Sequence, residues 1–172
     1  MALLAQIGVV PDQVLVPDID ETPAPDEPPR VYALRMALAK TSPVPGAYVL
    51  SADTVVALGR RILPKALEGE TVRTCLDRLS GRRHTVITAI GLVTPAGARS
   101  TRVSVSSVTF ARLTVAQIDA YVACGEGLGK AGGYAIQGRA AAFVRALSGS
   151  YSGIVGLPLF ETAQLLRGRG YL

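Results

Sequence analysis

Val49-Leu50-Ser51-Ala52-Asp53-Thr54-Val55-Val56-Ala57-Leu58 is the stretch that decides how this chain folds. It is apolar and rich in β-branched residues, and Gly46 and Gly59 bound it, so it reads as a buried strand. Asp53 stands in its middle. An ionised carboxylate in an apolar strand is costly unless a cation, a metal ion or hydrogen-bond donors meet it. Asp53 is therefore either part of a functional cluster or an acid at a strand end, bonded to the next turn.

Elements on both sides of this strand offer partners. Upstream, Pro28-Pro29 can open a helix on which Val31, Leu34, Ala37 and Leu38 form an apolar stripe. Lys40 falls at its C-terminal end, where a cation also suits the helix dipole. Before that helix, Asp18-Ile-Asp-Glu21 puts three carboxylates in four residues, ahead of a proline-rich loop from Thr22 to Pro29. By composition this is a solvated face or a set of hard ligands for a divalent metal. Downstream, a turn at Gly59 to Arg61 leads into Ile62-Leu-Pro-Lys65 and brings Lys65 back towards Asp53.

Farther out, Ala2 to Ile7 reads as the last turns of a helix stopped by Gly8, and Gln13 to Val16 as a strand. Glu68 to Leu79 has helical spacing, with Val72, Cys75, Leu76 and Leu79 on one face. Thr85 to Thr94 alternates as a strand, and the only histidine, His84, adjoins it with no nucleophile or acid nearby in sequence. Arg102 to Phe110 is a strand with a phase slip, which predicts a bulge at Ser106-Ser107. Thr114-Val-Ala-Gln117 is a capping box that opens a helix to about Cys124. Gly125 to Gly138 has six glycines in fourteen residues and carries Lys130 and Gln137. It matches no standard phosphate fingerprint, so composition leaves a flexible loop or a ligand cradle. Ala141 to Leu147 reads as a strand, Gly149 to Gly156 as a turn, and Leu157 to Leu166 as a closing helix.

The 172 residues suit one domain with a real core. A net charge of +5 fits an anionic small ligand, but no basic block interleaves with aromatics, and Arg82-Arg83 is too short for a nucleic-acid patch. Cys75 and Cys124 lack metal-ligand spacing and read as structural thiols. No run is long enough to span a bilayer, and the first residues lack a signal-peptide pattern, so the expected location is cytoplasmic. No Ser-His-Asp or Cys-His arrangement competes with the carboxylate and lysine set, which is the set that metal-assisted phosphoryl chemistry uses.

At this point the chain resembles the Maf (septum-formation) family of nucleoside triphosphate pyrophosphatases. The motifs are Leu-Leu-Ala-Gln-Ile-Gly at 3–8, Asp-Ile-Asp-Glu at 18–21, Ala-Asp-Thr-Val-Val at 52–56 and Leu-Ser-Gly-Arg-Arg-His-Thr-Val-Ile-Thr at 79–88. Lys-Ala-Gly-Gly-Tyr-Ala-Ile-Gln-Gly at 130–138, Gly-Ser-Tyr-Ser at 149–152 and Val-Gly-Leu-Pro-Leu-Phe-Glu-Thr at 155–162 complete them. The resemblance implies an elongated α/β fold with a mixed sheet and a central cleft, similar to inosine-triphosphate pyrophosphatases. It implies hydrolysis of a nucleoside triphosphate to monophosphate and pyrophosphate, with Mg²⁺ or Mn²⁺. Asp53 takes the place of the proton acceptor, and Glu21 with Asp53 that of the metal acids. Lys40, Lys65 and Lys130 match phosphate-side lysines, and Thr54 and Gln137 match positions that discriminate bases. Ala-Asp-Thr and Ile-Gln-Gly resemble the dTTP/UTP-preferring branch. A homodimer is compatible with the resemblance.

The family's opening strand and Ser-x-x-Arg-Arg turn would precede the Leu-Leu-Ala-Gln helix, where Met1-Ala2 stands here. The expectation is a single Maf-like domain over 1–172, truncated at its N-terminus. The family's Lys-Pro after the Asp strand is Lys65-Ala66 here. The second functional reading is a nucleotide-binding or cell-division interaction protein that keeps the cleft without the chemistry.

Overall fold

The computed structural model describes residues 2–172. Five strands form one sheet in the order β2-β1-β3-β4-β5. They are β1 (Val49–Leu58), β2 (Arg61–Ile62), β3 (Arg83–Val93), β4 (Arg99–Phe110) and β5 (Val144–Ser148). The helices are α1 (Ala2–Ala5), α2 (Pro29–Ala39), α3 (Gly69–Leu79), α4 (Val115–Cys124), α5 (Tyr151–Val155) and α6 (Leu159–Arg167), and a 3₁₀ turn, Arg139–Phe143, leads into β5. The α/β class is the expected one. Every pairing among these strands is antiparallel, not mixed as the resemblance implies. Turns at Gly59-Arg60 and at residues 94–98 join β1 to β2 and β3 to β4, and links so short serve only antiparallel neighbours.

Apolar layers cover both faces of the sheet. On one, Tyr32, Ala33, Met36 and Ala37 of α2 pack on Val55, Ile87 and Ala89. On the other, Val56, Val86, Val108 and Phe110 meet Val72, Cys75, Leu76 and Leu79 of α3 and Ile118 and Tyr121 of α4. Farther along that second face, Ile90 and Leu92 meet Leu165 and Leu166 of α6. The capping box at Thr114 and Gln117 forms as its spacing predicts.

Serines on its buried face explain the misread phase of β4. Its register with β3 runs unbroken from Arg99 to Thr109, with no bulge at Ser106-Ser107, and the irregularity lies instead between Thr109 and Phe110 against β5. Val103 packs on the α2 layer, while Ser104, Ser106, Val108 and Phe110 are buried on the opposite face. The slip in apolar parity reflects buried serines on the core side and Val105, 49% exposed, on the other.

Other expectations are corrected too. Gln13 to Val16 is not a strand: no strand pairs with it among the described residues, and Val14, Leu15 and Val16 are exposed. Prolines at 11 and 17 flank that run and break any longer ladder. The buried face of α2 is Tyr32, Ala33, Met36 and Ala37, rotated from the expected stripe, and Val31 is exposed. Residues 151–155 form a short helix rather than only a turn, with Ser150 Oγ capping the N–H of Gly153.

α2 lies close to the sheet at its C-terminal end. Gly91 of β3 sits beneath Thr41, Ser51 and the Ala37 carbonyl, and any side chain at Gly91 would collide with the Thr41 hydroxyl. Ser51 Oγ donates to Ala37 O at 2.7 Å and lies 2.7 Å from Thr41 Oγ1, which ties β1 to the end of the helix. Lys40, at the helix C-cap, is thereby carried to Asp53.

Candidate active site

β2 pairs only with Ala57 and Leu58, so most of the outer edge of β1 borders a cleft of about 640 Å³. Consecutive strand residues point to opposite faces. Asp53 and Val55 thus line the α2 side of the cleft, and Thr54 and Val56 the other. All the candidates from the sequence line this one cleft: Glu21, Lys40, Asp53, Thr54, Lys65, Lys130 and Gln137.

On the α2 side, Lys40 Nζ donates to Asp53 Oδ1 at 2.6 Å and lies 2.6 Å from Glu21 Oε1. Asp53 has a side chain only 11% exposed, against 40% for Glu21. That difference separates their acidities. Burial raises the Asp53 carboxyl above the ordinary carboxylate range, against the opposing pull of Lys40. The Lys40 hydrogen bond wins at Glu21 and lowers it. Burial alone would lower the Lys40 ammonium, but its bonds to both acids raise it on balance. The charge of Lys65 reaches both carboxylates and favours their ionised forms.

Of the three acids at 18–21, only Glu21 turns into the cleft; Asp18 and Asp20 are exposed. Ile19 packs against the α2 layer and anchors the segment. The Tyr32 hydroxyl donates to Glu21 O at 2.6 Å. Arg35 donates from Nη2 to Thr22 O at 3.1 Å and grips Glu27 at 2.7 and 2.8 Å. The Arg35 hydrogen bond holds the Glu27 carboxyl down to about 2. Sequence reasoning missed Tyr32, Arg35 and Glu27. Tyr32 lies off the expected apolar stripe, and the Arg35–Glu27 pair spans a loop whose path no spacing rule supplies.

The glycine-rich segment is a firmly packed wall. Lys65 and Ala131 form an antiparallel bridge. Ala66 N donates to Lys130 O at 3.0 Å, Gly129 N to Ala66 O at 2.6 Å and Gly132 N to Pro64 O at 3.0 Å. Gly132 adopts φ +66 directly against the Val56 side chain, where a Cβ has no room. Lys65 and Lys130 are thus presented from adjacent clasped segments.

On the far side of β1 the lining is mostly uncharged: Val56, Val86, Tyr134, Ile136, Ile154 and Val155 surround Thr54, with Gln137 exposed beside them. His84 lies beneath this half, buried in edge-to-face contact with Phe110 and Tyr134, and its Nε2 is 2.8 Å from the Tyr134 hydroxyl. Burial lowers its pKa to about 4, so it is neutral at pH 7. It does not line the cleft, which fits support of Tyr134 rather than general-base work.

The donor set suits a hard divalent cation. Two carboxylates already converge on one ammonium, so both are within reach of a single cation. Among the described residues, no three or more His, Cys, Asp or Glu side chains are grouped so that they could hold a metal ion by themselves. A metal here would therefore complete its shell with phosphate oxygens and water. No helix of the described residues is long and apolar enough to cross a membrane.

Residues 1–169 match the family model described as Maf-like protein. A protein of Rhodospirillum rubrum named dTTP/UTP pyrophosphatase is 62% identical over 98% of this chain and 82% of its own length. One of Caulobacter vibrioides with the same name is 55% identical over 98% of this chain and 90% of its own. A solved nucleoside-triphosphatase / dITP/XTP pyrophosphatase from Mycobacterium abscessus is 19% identical, covers 98% of this chain and 87% of its own, and has a TM-score of 0.44, too low to bear on the fold.

Proposed function

The chain belongs to the Maf-like protein family, and from that premise we propose that it hydrolyses dTTP and UTP to the monophosphate and pyrophosphate in the cytoplasm. The observation that carries this reading is the division of one cleft by the edge of β1, with Lys40, Glu21 and Asp53 gathered on one side within the field of Lys65, and a mostly uncharged, apolar lining on the other. A nucleotide has the same two-part character. Lys65 and Lys130 meet the phosphates, and the base enters the side of Thr54 and Gln137.

Asp53 takes the proton of the attacking water as the water oxygen bonds to phosphorus. The bond between the α- and β-phosphates then breaks, and pyrophosphate leaves. A carboxylate raised by burial is a better proton acceptor than an exposed one. Lys40 fixes one oxygen of Asp53 and leaves the other for water. Glu21 and Asp53 would hold Mg²⁺ or Mn²⁺, which when bound would neutralise phosphate charge.

Pyrophosphate release from dTTP and UTP, measured with and without Mg²⁺ or Mn²⁺, tests the proposal. Metal-dependent release is expected, and binding of nucleotide without any product would defeat it.

A further inference from the structure

We propose that Thr88 is a positioning residue that fixes the hydroxyl proton of Thr54 and thereby sets the base preference of the cleft. Thr88 is 1% exposed and lies opposite Thr54 in the β1–β3 register. Its Oγ1 donates to the carbonyl of Gly153 in α5 at 2.7 Å. A carbonyl can only accept, and a threonine hydroxyl carries one proton. The proton of Thr88 is therefore committed to Gly153. The 2.9 Å contact between Thr54 Oγ1 and Thr88 Oγ1 then has one polarity: Thr54 donates and Thr88 accepts. Thr54 has no proton left for the cleft and presents only lone pairs to it.

An acceptor fixed at this point selects for an N–H on the incoming base. Uracil and thymine carry one at ring position 3, whereas cytosine carries a bare, accepting nitrogen there. A freely turning hydroxyl could satisfy either ring. The buried relay Thr54→Thr88→Gly153 removes that freedom, so an accepting ring nitrogen would face Thr54 lone pair to lone pair. α5 takes part because Ser150 caps Gly153 and Ser106 bonds to Ser150, which hold the accepting carbonyl in place. This inference rests on the dTTP/UTP reading above and names how the same site would choose its base.

The test compares UTP with CTP in the wild-type chain, Thr88→Val and Thr88→Ser. Both kcat/KM and equilibrium binding of the α,β-methylene analogues are measured. Thr88→Val frees the Thr54 proton and should lower the UTP-over-CTP ratio about tenfold, the equivalent of one hydrogen bond. Thr88→Ser keeps the hydroxyl and should retain the wild-type ratio. Thr88→Ala carries the same comparison if Thr88→Val does not fold. A wild-type chain that binds both analogues equally would overturn the relay. So would a Thr88→Val variant that loses both substrates in parallel, since a merely structural role predicts that. If the wild type prefers the uracil analogue, Thr88→Val abolishes the preference, and no pyrophosphate is ever released, the relay stands and the hydrolytic reading falls.

Discussion

Asp53 and Thr54 are consecutive on β1, yet they serve opposite halves of the cleft. The half under α2 is built from charge: an ammonium shared by two carboxylates, with a further lysine whose field reaches both. The half towards α5 is built from aliphatic and aromatic side chains, and its threonine pair is bonded inward. The strand's two-residue alternation sorts the two chemistries, and the short β2 leaves room for both beside one edge. On the proposed reading, a single peptide unit separates reaction from selection. Changes in one half should then leave the other's property intact.

The strongest way to break that separation is Asp53→Asn. It should lower kcat for dTTP and UTP by about a thousandfold, as loss of a general base does. The ratio between uracil and cytosine substrates should not move. A shift of that ratio in steady-state assays would show that the halves are coupled. Gly91→Ala comes next. The added methyl group collides with the Thr41 hydroxyl, so it should lift the end of α2 and carry Lys40 away from Asp53. We expect a stability loss of about 2 kcal/mol from overpacking, read from urea midpoints. We also expect about a hundredfold loss in kcat/KM from misplacement, with base preference unchanged.

The third prediction sharpens the other half. His84 has a folded pKa of about 4, below its ordinary 6.5, so unfolding binds a proton between those values. Its contribution to stability is complete above pH 6.5 and is lost as pH falls towards 4. Between pH 7 and pH 5 the chain should lose about 2 kcal/mol through this group alone. A His84→Gln chain should show a flatter profile over that window in urea titrations. The smallest effect is expected from Arg35→Met, which loosens the loop behind Glu21. Exposed ion pairs contribute little, so KM should rise only about threefold, with kcat and base preference retained.

The charged half was largely legible in the sequence because its residue types are costly to bury without a reason. Asp53 inside an apolar run demanded partners, and the motifs placed Glu21 and the lysines beside it. The uncharged half was less legible. Thr88 looks like any β-branched strand residue, and its use depends on which carbonyl α5 presents. Residues 151–155 read as a turn because two glycines bracket them, yet the Ser150 cap closes them into a helix. β4 misled for a different reason: its buried face carries Ser104 and Ser106, while two valines, Val103 and Val105, stand on the wetter face, so polarity does not mark the buried side. The run at Gln13 to Val16 failed in the opposite way, since local propensity promised a strand and no neighbour pairs with it among the described residues.

The clasp between residues 64–66 and 129–132 has a consequence for kinetics. Reciprocal main-chain bonds fix the backbone that carries two lysines, so the anion-attracting wall stands assembled before any nucleotide arrives. Association then forfeits little loop entropy and depends chiefly on diffusion in the protein's own field. Amide protons of Ala66, Gly129 and Gly132 should exchange slowly with solvent deuterium in the empty protein and change little when nucleotide binds.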